Sequence, residues 1–303
     1  SRLPSPRSWT AFLKAGLFPG QGVPAAEVLA VLPESDDLLT RANEVLGYDL
    51  RRRVEIASRR KGAAVPTLIA QPAMFVAGLA SFRRSQEAGA NWHAFAGHSL
   101  GEYAALVAGA SFSFEQAMEA VKVRAGAMQA AAQASSGGMV AILGLDLDRV
   151  SEIADSTGVS VANDNAPGQV VLSGSDDGLA AAATRVREEG ARSVLLEVSG
   201  SFHTQAMEPA AVALRDALDH VDVRMPEVPV ISNVTAAPYR APGEIRKLLV
   251  EQLTGRVRFR ESIEWLWYQG FRDFEDLGPG RVAAGLAQRI TRPLRRAEVS
   301  VGA

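Results

Sequence analysis

The chain has 303 residues, enough for one large domain or two moderate ones with a proper core, so a small stapled scaffold is excluded. Lys and Arg number 32 against 34 Asp and Glu, and the formal charge of −2 gives no global pull toward nucleic acid or an anionic membrane. The absence of cysteine removes disulfides, thiolate zinc sites, iron–sulfur clusters and a cysteine nucleophile together. Imidazole chemistry near neutral pH is thereby confined to His93, His98, His203 and His220.

In chain order, residues 1–14 lack the apolar core of a signal peptide and are expected to be a linker, with the protein in the cytoplasm. A strand is expected at Ala15–Phe18. The uncharged stretch Gly62–Phe82 approaches the length of a membrane span, but Pro66, Gln71 and Pro72 interrupt it, so a buried helix beginning after Pro72 is expected instead. Ala94–Ala96 reads as a strand running through a glycine turn into a helix from Glu102, and a further helix is expected from Phe114 to Met128. From Met139 the pattern is strand (Met139–Leu143), helix (Leu147–Thr157), strands (Val159–Ala162 and Gln169–Ser173), helix (Asp176–Glu189) and strand (Ser193–Val198), the ferredoxin-like βαββαβ order. A short strand at Pro226–Val230, a helix at Pro242–Leu253 and a strand with a Gly-Pro-Gly turn at Phe271–Gly280 follow. The expected fold class is α/β: an α/β-hydrolase-like large domain formed by residues 15–134 and 201–303, with a ferredoxin-like subdomain, 135–200, inserted between them.

Gly97-His98-Ser99-Leu100-Gly101 fits the pattern G-x-S-x-G, whose glycines permit a sharp strand-to-helix turn that projects the serine hydroxyl. A serine needs a neighbouring base. His98 shares the tight turn and cannot easily align with the hydroxyl, while His93 and His220 read as solvated. His203 follows the last strand of the inserted module, where a domain junction can line a cleft, and is favoured as the partner. On the helix Phe114–Met128, Arg124 shares one face with Ala117, Val121 and Met128, so an arginine stands in an apolar stripe. Such an arginine either snorkels or meets an anion.

Leu17-Phe-Pro-Gly-Gln-Gly22, Gly97-His-Ser-Leu-Gly-Glu-Tyr103, Asn165-Ala-Pro-Gly-Gln-Val-Val171, Ser201-Phe-His203, Pro229-Val-Ile-Ser-Asn-Val234 and Gly278-Pro-Gly280 resemble, in order, the signatures of the malonyl-CoA:acyl carrier protein transacylases, a fold shared with polyketide synthase acyltransferases. The resemblance implies that Ser99 carries the acyl group as an ester, that His203 is general base and then general acid, and that a backbone carbonyl near Gln252 orients His203, completing the catalytic set. It implies an oxyanion hole from the backbone N–H groups of Gln21 and Leu100, the second of which also follows from the geometry of the turn. Arg124 is then expected to bind the free carboxylate of a malonyl-type substrate, and Phe202 to restrict its α-carbon to malonyl. Asn165 and Gln169 are expected to line the substrate junction, with turn stabilisation as their alternative.

Val23-Pro24 and Gln252-Leu-Thr-Gly-Arg-Val257 depart from the family pattern. The implied partners are malonyl-CoA and a phosphopantetheinylated acyl carrier protein, with no nucleic acid, membrane, cofactor or metal, and a monomer acting in trans, with polyketide synthesis preferred over fatty acid synthesis. Basic clusters at Arg51–Arg53, Arg59–Lys61 and Arg292–Arg296 are candidates to meet an acidic carrier, or simply solvated faces. Two rival readings are a hydrolase that clears acyl groups from carriers and a catalytically silent docking module. The first has no use for Arg124 and the second none for Ser99.

Overall fold

Two separate four-stranded sheets organise the chain, and they are interleaved in sequence. The computed structural model describes residues 13–59 and 65–301; residues 1–12 of the linker expected at 1–14, together with Arg60 and Lys61 of one basic cluster, lie outside the described residues, whereas Leu13 and Lys14, also assigned to that linker, belong to the first strand because they pair with Phe271 and Asp273. The strands are β1 (Leu13–Phe18), β2 (Ala94–Gly97), β3 (Gly138–Leu143), β4 (Ser160–Ala166), β5 (Gln169–Gly174), β6 (Arg192–Leu195), β7 (Val230–Ile231) and β8 (Phe271–Asp276).

The first sheet has the order β7-β2-β1-β8, all parallel, and draws its strands from both ends of the chain. Helices cover it, which is why Ala94–Gly97 is buried at every position and carries no polar alternation. The second sheet has the order β4-β5-β3-β6 and is antiparallel throughout. With helices Leu147–Thr157 and Asp176–Glu188 between its strands, it has the βαββαβ succession expected from the sequence. Both helices are bounded by local chemistry: the side chains of Asp146 and Ser175 cap their N-termini, and Gly158 closes the first in the left-handed conformation.

Several boundaries differ from expectation: the helix from Phe114 runs past Met128 to Ala134, β6 occupies Arg192–Leu195 in place of Ser193–Val198, and β7 is confined to Val230–Ile231 in place of Pro226–Val230. The helix expected after Pro72 begins at Thr67 and runs to Glu87 with Pro72 inside it. Pro72 cannot donate to the Leu68 carbonyl four residues back, and the Tyr48 hydroxyl donates to that carbonyl instead, at 3.3 Å. Burial of Gln71 to Ala80 against the core then holds the helix together through the proline. Among the described residues no helix is long and apolar enough to cross a membrane.

Candidate active site

Ser99 stands at the turn between β2 and the helix Gly101–Ala108, with φ of +51°. The flanking glycines are required by contact: a Cβ on Gly97 would lie 2.0 Å from the Gly101 carbonyl carbon, and one on Gly101 would lie 2.1 Å from the Phe18 carbonyl oxygen. The strained serine backbone is held from both sides. Its N–H donates to Asn233 Oδ1 at 2.7 Å, and its carbonyl accepts from Gln252 Nε2 at 3.1 Å. Asn233 also donates through Nδ2 to the Gly97 carbonyl at 2.6 Å, so one carboxamide clamps both arms of the turn.

His203 lies 2.9 Å from Ser99 Oγ through Nε2 and 2.7 Å from the Gln252 carbonyl through Nδ1. A carbonyl can only accept, so the proton resides on Nδ1 and Nε2 is left to accept the serine hydroxyl. That carbonyl is available because Gln252 lies in the last turn of the helix Pro242–Thr254, where backbone C=O groups have no partner within the helix. His203 is itself in the left-handed region, with φ of +60°. Burial, with the Arg124 charge adding to it, pushes the imidazole down to about 3, so the neutral base is the resident form at ordinary pH.

Arg124 is 1% exposed. It does not snorkel. Its Nη1 donates to Gln71 Oε1 at 2.6 Å, and its Nη2 donates to Ser99 Oγ at 2.9 Å and to Gln252 Oε1 at 3.0 Å. Its Nε has no hydrogen-bond partner, and no carboxylate lies within ion-pair distance among the described residues. Glu102, also 1% exposed, accepts from the Tyr239 hydroxyl, from Gln252 Nε2 and from the Asn233 N–H. Burial raises its carboxyl to about 7 against the pull of these donors.

A cavity of about 1060 Å³ opens over the dyad between the two sheets. Ser99, His203, Gln21, Phe202, Asn165 and Gln169 all line it. Asn165 Oδ1 lies 2.7 Å from His98 Nε2, and Gln169 Oε1 accepts from Arg289 at 2.7 Å, so both amides are engaged by protein partners at the rim. The backbone N–H groups of Gln21 and Leu100 donate to no protein acceptor among the described residues. His98 points away from Ser99 and packs on Phe259, with ring centroids 5.2 Å apart, and His220 is exposed. His93 was expected to be solvated; it is half-buried, and its Nδ1 accepts from the Lys14 N–H. Arg51 is occupied by the Leu29 and Leu32 carbonyls, so this member of its basic cluster is a structural residue. No cluster of three His, Asp or Glu among the described residues is arranged to hold a metal.

Sequence reasoning passed over Gln71, Asn233 and Glu102. Each is a polar residue with at most 1% exposure, and a buried carboxylate in the apolar helix Gly101–Ala108 was the one visible signal.

The acyl transferase domain family matches residues 21–287. The malonyl CoA-acyl carrier protein transacylase of Bacillus subtilis (strain 168) is 38% identical over 296 residues, covering 94% of this chain and 93% of the relative. The solved malonyl CoA-acyl carrier protein transacylase of Coxiella burnetii superposes with a TM-score of 0.85 at 32% identity, over 94% of this chain and 93% of that one. A type II PKS acyl-carrier protein in complex with its malonyl-transacylase gives 0.84 at 34% identity, over 92% and 93%. The matched span contains both Ser99 and His203, and with relatives aligned almost end to end this chain belongs to the acyl transferase domain family.

Proposed function

We propose that this protein moves a malonyl group from malonyl-CoA to the phosphopantetheine thiol of an acyl carrier protein through an ester on Ser99. His203 Nε2 takes the hydroxyl proton as Ser99 Oγ adds to the thioester carbonyl, and the Gln21 and Leu100 N–H groups receive the oxyanion. Collapse expels the coenzyme A sulfur, which receives the proton from His203. The carrier thiol then gives its proton to His203, attacks the ester, and Ser99 recovers its hydrogen on release. No cofactor is needed for acyl exchange between a hydroxyl and thiols, every thiol belonging to substrate or partner, and the reaction suits a cytoplasmic enzyme meeting a separate carrier.

The observation that carries the malonyl reading is Arg124: a buried guanidinium with no carboxylate partner among the described residues, one hydrogen bond from Ser99. A buried cation calls for an anion, and the free carboxylate of a serine-bound malonyl group is of the right charge and reach. The Phe202 ring beside His203 fits an unsubstituted α-carbon, a preference worth about 1–3 kcal/mol per methyl.

Intact-mass measurement of the enzyme and a holo-carrier protein after incubation with malonyl-CoA tests this. The expected result is a malonyl adduct on the enzyme that is absent in Ser99→Ala, followed by malonyl-carrier, and in Arg124→Ala a relative gain of acetyl over malonyl loading. Free malonate as the main product would replace transfer with hydrolysis, and no adduct at all would leave a docking module.

A further inference from the structure

Glu102 is a buried carboxylate that the acyl-transfer steps do not use. It does not pair with Arg124 directly; the Gln252 carboxamide stands between them. A carboxamide has nearly the same shape when turned over, so its neighbours decide its orientation. The Nε2 side of Gln252 faces three acceptors: the Glu102 carboxylate, the Ser99 carbonyl and Asn233 Oδ1. Its Oε1 is thereby left to accept from Arg124 Nη2. Of the three acceptors, Glu102 makes the shortest contact with Nε2. The carboxylate is fixed in turn by the Tyr239 hydroxyl and the Asn233 N–H.

We propose that Glu102 is a positioning residue of the acyl site, which acts through the Gln252 carboxamide to aim the Arg124 guanidinium at the substrate carboxylate. The inference rests on the malonyl-transfer reading and adds a determinant of acyl selectivity to it. Glutamine at position 102 keeps the shape but brings an NH2 group into a ring of three donors, from Tyr239, Asn233 and Gln252. Turning the Gln252 carboxamide relieves one clash and points its NH2 at Arg124, which then loses an acceptor and its aim. Backbone acceptance of the His203 proton is untouched, because that bond uses the Gln252 main chain.

The test compares malonyl and acetyl loading of Ser99 by single-turnover kinetics. In Glu102→Gln the malonyl rate constant at limiting substrate is expected to fall about 10- to 100-fold, the consequence of an unmatched buried donor, and the acetyl rate constant by less than about threefold. In a Gln252→Ala background the same substitution is expected to leave the malonyl-to-acetyl ratio within about twofold, because the relay is gone. Tyr239→Phe, which removes one of the donors that fix the Glu102 carboxyl, is expected to lower the ratio in the same direction by a smaller factor, and it serves if Glu102→Gln does not fold. An equal fall for both acyl groups, an unchanged ratio in Tyr239→Phe, or an undiminished effect of Glu102→Gln without the Gln252 side chain would overturn the proposal. Wild-type enzyme that loads no malonyl group would instead overturn the reading on which it rests.

Discussion

A histidine held neutral by burial is ready to accept a proton at any pH in which the enzyme works. His203, with its imidazole near 3, has no protonation step close to the ordinary value of 6.5. Acetyl loading, which would not engage the carboxylate clamp proposed for Arg124, is therefore expected to keep its rate from pH 8 down to pH 5, measured by stopped-flow release of coenzyme A. A falling limb centred between 6 and 7 would mean that the imidazole is solvated. At this scale the sequence was legible by elimination, since four histidines and one G-x-S-x-G turn leave a single plausible pair. The amides were not legible, because Gln71, Asn233 and Gln252 act through contacts made 53 to 153 residues away along the chain. Nothing in a lone glutamine announces that it faces an arginine.

At the scale of elements, the strand-to-helix turn is the part the chain can least vary. The Gly97 position has no room for a methyl group, since backbone atoms would lie about 2 Å from it, and backbone cannot swing aside as a side chain can. Gly97→Ala is accordingly expected to destabilise by at least about 3 kcal/mol, at or beyond the usual cost of overpacking, with the shift read from urea unfolding midpoints. A loss below about 1 kcal/mol would mean that the turn relaxes freely. Periodicity and capping residues placed the helix Leu147–Thr157 at its observed limits, because Asp146 and Gly158 mark both of its ends locally. The helix around Pro72 was misplaced because the proline rule is local, whereas the hydroxyl that compensates it comes from Tyr48.

Over the whole molecule two buried groups bend the pH dependence of stability in opposite senses. The folded Glu102 carboxyl titrates near 7 against 4.5 for an unperturbed glutamate, so its contribution is fullest below 4.5 and is lost as pH rises through 7. His203 titrates near 3 against 6.5, so the unfolded chain binds its proton first and stability is lost as pH falls from 6.5 toward 3. Between 4.5 and 6.5 the two slopes cancel. Glu102→Gln removes one of them, and its stability relative to wild type is expected to climb by about 3 kcal/mol from pH 4.5 to 7, in parallel denaturation series. A difference that stays constant across that range would place the carboxyl at its ordinary value. The two-sheet architecture was readable in outline, because strand and helix periodicities do not depend on distant partners. The cavity between the sheets was readable only as a junction.

Ser99 is tied through its N–H to Asn233, through its carbonyl to Gln252, and through its hydroxyl to Arg124 and His203. The farthest of these partners is 153 residues downstream. During synthesis Ser99 leaves the ribosome well before Asn233 and Gln252, and until Gln252 has emerged neither the carbonyl that meets His203 nor the amide that holds the Ser99 carbonyl is present. On the mechanism proposed, a chain that stops short of Gln252 therefore lacks the carbonyl that orients the His203 base, and Ser99 gains its reactivity only once these late contacts have formed.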